Sequence, residues 1–102
     1  MNQLERVFKY QERQVRTVVI DDEPWFVATD VCQVLDITNP TVAVERLDPD
    51  EVTKFNLGGL SGESNIINEA GLYSLILGSR KPEAKSFKRW ITHDVLPCIR
   101  KH

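Results

Sequence analysis

The sequence predicts an α+β domain: small antiparallel β-hairpins packed with several short helices and a long C-terminal basic amphipathic helix. Three observations carry that class. Val15 to Ile20 and Trp25 to Val27 are rich in β-branched and aromatic residues and flank Asp21-Asp22-Glu23-Pro24, the pattern of a hairpin. From Val31 the apolar residues change to a spacing of three and four, which is one face of a helix. After Pro82, basic and apolar positions separate to opposite sides of a helical projection.

Taken in order, Val7-Phe8-Lys9-Tyr10 adds a strand to the sheet of the first hairpin. Val31, Val34 and Leu35 share a helical face, with Thr29 or Asp30 as its cap. Asp36-Ile37-Thr38 breaks that run. Asn39-Pro40 then reads as N-cap and first helical position of a short helix towards Leu47, in which Val42 and Val44 help to close the core, and Asp48-Pro49-Asp50 ends it. Val52 to Leu57 and Ser64 to Ile67 flank the glycine-rich stretch Gly58 to Gly62 as a second hairpin. Asn68-Glu69 opens a helix whose Leu72, Leu75 and Ile76 face one way and which ends near Gly78-Ser79. Pro82 and Glu83 open the last helix, expected to reach about Leu96, where Pro97 ends or kinks it.

A chain of 102 residues suits a single domain over residues 1–102. No apolar run reaches the roughly 18 to 20 residues of a spanning helix, and the start lacks the apolar core of a signal peptide. The expectation is a cytoplasmic protein with no membrane partner. Cys32 and Cys98 lie in apolar surroundings without a CxxC spacing, so both are expected to be reduced, partly buried thiols.

The net charge of −2 hides a split: from Arg80 to His102 seven basic residues meet two acidic ones, so this segment is +5 and the remainder −7. Lys81, Lys85, Lys88 and Thr92 gather on one side of the last helix with Arg89 beside them, opposite Ala84, Phe87, Trp90 and Ile91. Cations about 5 to 6 Å apart suit successive phosphates of a nucleic-acid backbone, and an acidic protein surface equally. Two short helices followed by a glycine-tipped hairpin also have the order of a winged helix-turn-helix. In that reading the helix from Pro40 to Leu47 would offer Thr41 and Arg46 to base edges, with Glu45 beside them. One cation supplies at most one bidentate base contact, so specificity is expected to depend on self-association as a homodimer or on a further domain.

Catalytic chemistry is not expected. The histidines, His93 and His102, have no nucleophile at triad-like spacing, and His93 with Cys98 makes only half a zinc site. Glu83-Ala84-Lys85 imitates the E-x-K of metal-dependent nucleases, but it falls in the first turn of a helix, where Glu83 is explained by the helix dipole. Gly58 to Gly62 lacks the lysine and following helix of a phosphate-binding loop. No metal and no cofactor are expected.

The run Ser79-Arg80-Lys81-Pro82-Glu83-Ala84-Lys85-Ser86-Phe87-Lys88-Arg89-Trp90-Ile91-Thr92, continuing through Asp94-Val95-Leu96-Pro97 to Ile99-Arg100, resembles the closing signature of the BRO family N-terminal domain of phage and prophage antirepressors and baculovirus BRO proteins. Trp25-Phe26-Val27-Ala28, Asp30-Val31, Asn39-Pro40 and Ile67 to Ile76 follow the family pattern in order. Asp36-Ile37 departs from it where many relatives carry Gly-Tyr, as does Arg46-Leu47-Asp48 where His-Val-Asp is usual. The resemblance implies the DNA-binding domain of a regulator of phage or viral transcription, acting on double-stranded DNA, or alternatively on a repressor protein pulled from its operator. The expected nucleic-acid contacts are Arg80, Lys81, Lys85, Lys88, Arg89, Arg100 and Lys101. A separate C-terminal domain usually follows in the family and is absent from these 102 residues, which implies an excised domain or a short stand-alone member.

Overall fold

In the computed structural model, which describes residues 3–57 and 63–100, the two expected hairpins merge into one antiparallel sheet. Its strands are β1 (Gln3–Tyr10), β2 (Arg13–Ile20), β3 (Glu23–Val27), β4 (Val52–Asn56) and β5 (Glu63–Asn68), in the order β1-β2-β3-β5-β4. The link is β3 with β5, where Trp25 faces Asn68 and Val27 faces Ile66. The glycine-rich tip from Gly58 to Gly62, and Lys101 and His102, lie outside the described residues.

The first turn is tighter than the sequence suggests. Ile20 pairs with Glu23, so only Asp21 and Asp22 make the turn, and Pro24 is a buried strand residue. Both aspartates adopt left-handed φ, 51° and 68°, as the two central positions of a type I′ turn require. Gln11 and Glu12 do the same between β1 and β2, at 50° and 70°.

Helix α1 (Ala28–Val34) follows β3 without a gap and has no side-chain cap, so neither Thr29 nor Asp30 caps it. Asp30 is instead buried, and its carboxylate accepts from the backbone N–H, Nε and Nη2 of Arg16 on β2 at 2.9, 2.8 and 2.9 Å. The exit is a Schellman motif: Ile37 N–H donates to Cys32 O at 2.8 Å and Asp36 N–H to Gln33 O at 3.3 Å, with Asp36 at a φ of 59°. That left-handed position favours glycine, and Asp is among the side chains that tolerate it.

Asn39 and Asn68 are caps as expected. Asn39 Oδ1 accepts from Val42 N–H at 3.3 Å to open α2 (Pro40–Glu45). Asn68 Oδ1 accepts from Gly71 N–H at 2.9 Å to open α3 (Glu69–Leu77), while its Nδ2 donates to Asp50 O at 3.2 Å. This draws a short 3₁₀ turn, Pro49–Glu51, against α3. A Cβ on Gly71 would stand 3.1 Å from Glu51 O, so the glycine permits the approach. Helix α2 stops at Glu45, short of Leu47, and buries Ala43 and Val44 while Val42 remains exposed. At about 100° per residue, a helix this short turns only the neighbouring Ala43 and Val44 inward.

The last helix is a continuous helical run of three parts rather than one α-helix ending at Leu96. It comprises α4 (Glu83–Trp90), a π turn (Ile91–Val95) and α5 (Leu96–Arg100). Pro97 does not end the run. It lies at the start of α5, and the wide π turn just before it accommodates a residue that has no N–H to donate and a ring that would clash in a regular α turn. Phe87, Ile91, Val95, Leu96 and Ile99 are all buried. Trp90 is half-buried in an aromatic cluster that seats α4 on β1, its ring centroid 5.0 Å from Tyr10, 5.8 Å from Phe87 and 6.4 Å from Phe8. Cys32 is buried, whereas Cys98 is exposed, because α5 turns its outer side to solvent there. Among the described residues no helix is long and apolar enough to cross a membrane.

Candidate nucleic-acid interface

The apolar side of α4 is fixed by the aromatic cluster, and this determines where its charged side points. Lys85, Lys88 and Arg89 are exposed. With Pro82, Ser86, Thr92 and His93 they line one open depression of about 440 Å³. Among the described residues the ion pairs engage Arg16, Lys81 and Arg100 and leave these three cations without a carboxylate. The ammonium of Lys88 stands 6.0 Å from the centroid of the Tyr73 ring, at the outer limit of a cation–π contact. Burial pushes the Tyr73 phenol up, with the neighbouring Glu69 carboxylate adding to it, so the ring meets Lys88 in its neutral form. Thr92 Oγ1 donates back to the carbonyls of Lys88 and Arg89, each at 3.1 Å.

The remaining expected contacts are placed differently. Lys81 precedes α4, and its Nζ lies 3.8 Å from carboxylate oxygens of both Asp36 and Glu83, tying the end of α1 to the start of α4. Arg100 Nη2 reaches Glu69 Oε1 at 2.6 Å, and Tyr73 donates to the other oxygen of that carboxylate at 3.3 Å. Arg80 is exposed in the connection between α3 and α4. Lys101 lies outside the described residues. Thr41 is exposed on α2, whereas Arg46 caps the end of that helix and lines a depression against α3 with Ile37, Ala43, Leu47, Ser74, Leu75 and Gly78. Five residues apart, the two point about 140° away from each other around the helix axis, so the structure does not bring them onto one face.

Glu83 leans to Lys81, while Lys85 lines the depression without it, so the two side chains of the E-x-K imitation part company. Among the described residues no three His, Cys, Asp or Glu side chains converge as metal ligands. Ser86 and His93 are the additions to the site. Their signal was present in the sequence, since Ser86, Arg89 and His93 follow one another at the three- and four-residue steps of a helical face.

Residues 14–97 match the model of the BRO family, N-terminal domain. The chain belongs to this family. It is 42% identical over 99 residues to an uncharacterised protein of Haemophilus influenzae, covering 92% of this chain and 49% of that one. Two Bro-N domain-containing proteins of Invertebrate iridescent virus 6 are 32% and 29% identical over 92% and 89% of this chain. The Bro-N chain thus spans about half the length of the bacterial relative, and 28% and 27% of the two viral ones. No solved structure matches it. The matched span includes the whole of the depression and the strands from β3 to β5, and it begins within β2, after β1.

Proposed function

We propose that this Bro-N domain binds double-stranded DNA through its phosphate backbone, as the DNA-binding part of an antirepressor-type transcriptional regulator, without catalysing a reaction on it. The observation that carries the reading is the trio Lys85, Lys88 and Arg89 around one open depression, free of carboxylate partners among the described residues. Cations held by internal carboxylates must exchange one partner for another on binding, whereas unpaired ones release counterions from the nucleic acid. Lys81 and Arg100 belong to the first kind and frame the trio, with Arg80 as an outer contact.

The test is a salt titration of binding to duplex DNA. If three phosphates are neutralised, log K falls against log salt with a slope of about −2.7, and Lys85→Ala with Lys88→Ala flattens it by nearly two units across all sequences alike. A double variant that binds DNA as tightly as the parent at every salt concentration but no longer captures a repressor would overturn the reading and put a protein partner in place of DNA. Incubation of plasmid with magnesium or manganese checks the catalytic side, and cleavage that vanishes in Glu83→Gln and Lys85→Ala would contradict it.

A further inference from the structure

Among the described residues strand β1 is the edge of the sheet, paired with β2 on one side and with no strand on the other. Its even-numbered side chains Phe8 and Tyr10 pack on Trp90, and Arg6 reaches Cys98. Its odd-numbered ones, Glu5, Val7 and Lys9, are exposed, Val7 to 60%. Tyr10 and Arg13 flank a two-residue turn, so they form the hydrogen-bonded pair next to it, as do Phe8 and Arg6 with their partners at every second position. By that alternation Glu5, Val7 and Lys9 turn their backbone N–H and C=O groups to the open edge.

We infer that β1 pairs antiparallel with β1 of a second copy of this chain, about a two-fold axis through Val7, extending the sheet across two molecules. Edge strands usually carry charge that forbids such pairing, and here the signs are arranged the other way. A two-fold through Val7 sets Val7 against Val7 of the second copy and Glu5 against Lys9 of the second copy, twice. These are opposite-charge cross-strand pairs on either side of an apolar one. Shifting the axis by two residues along the strand sets Glu5 against Glu5 or Lys9 against Lys9. Among the described residues neither Glu5 nor Lys9 has an internal ion-pair partner to give up. The contact lies on the odd-numbered face and edge of β1, whereas α4 packs on the even-numbered face, so the dimer does not need the cation trio.

Sedimentation of the whole chain without DNA, from micromolar to millimolar, tests this. The parent is expected to dimerise reversibly. Lys9→Glu or Glu5→Lys alone turns both attractive pairs into repulsive ones and should raise the dimer Kd about tenfold or more, while Glu5→Lys with Lys9→Glu restores it. Val7→Pro removes an N–H that faces only the open edge, a place where a strand tolerates proline, and should abolish the dimer with the circular dichroism melt retained. If Val7→Pro proves unfolded, the exposed charge variants decide. A parent that stays monomeric throughout, or a dimer that the single charge reversals leave unchanged, would overturn the inference.

Discussion

Asp30 holds three donors of Arg16 in a site where its own side chain is 4% exposed and that of Arg16 37%. Removing the acceptor leaves a buried guanidinium edge and a backbone N–H of β2 without a partner. Asp30→Ala is therefore expected to cost about 2 to 4 kcal/mol in urea denaturation, below the usual loss for a fully buried pair because Arg16 is partly wet. The sequence could not show this. An aspartate two residues into a helix reads as a cap, and its donor lies on a strand whose approach depends on the sheet. Asn39 and Asn68, by contrast, were legible because a cap acts within three residues of itself. At Cys32 burial pushes the thiol up from 9.0 to about 11. Between those values the unfolded chain has lost a proton that the folded one keeps, so stability is fully present below pH 9 and falls as pH rises towards 11. Denaturation midpoints across that range should decline in the parent and lose this part of the decline in Cys32→Ala. A thiol reagent should meanwhile label Cys98 and spare Cys32 in the folded protein.

Among the elements, the π turn carries the largest difference from the sequence reading. In an unbroken α-helix Leu96 would lie about 120° round from Ala84, outside the stripe that holds Phe87 and Ile91. One extra residue turns the phase back by about 100°, which returns Leu96 and Ile99 to the buried side. A chain with one alanine inserted after exposed His93 would carry a second extra residue that the turn does not take up, and would rotate those side chains out by about 100°. It is expected to lose several kcal/mol, as for two emptied core positions, whereas His93→Ala changes stability by less than about 0.5 kcal/mol. Chemical denaturation of the pair separates phase from side-chain content. Periodicity announced α4 correctly, because its apolar positions obey one period from Ala84 to Ile91. It could not announce the change of period that follows. Pro97 marked the place, but the helix adjusts before the proline instead of stopping at it.

For the molecule as a whole, the cation trio was legible because Lys85, Lys88 and Arg89 are neighbours on one helix. The pairing of Lys81 with Asp36 and of Arg100 with Glu69 was not, since each joins elements far apart in sequence. The same holds for the sheet: both hairpins could be read locally, and their union through β3 and β5 could not. That union has a consequence for the order of assembly. Each hairpin closes a short loop, but bringing Trp25 beside Asn68 encloses α1, α2 and all of β4, so the loop entropy of joining the halves falls due in a single late step. Folding should therefore be limited by the docking of two preformed ribbons, with the C-terminal helical run condensing onto β1 afterwards. In stopped-flow chevrons, Ile67→Val at the junction is expected to slow refolding, and Ile99→Val in α5 to speed unfolding while leaving the refolding rate nearly unchanged. The strand neighbour that sequence reading could not see is thus the one that sets how fast the chain finds its fold.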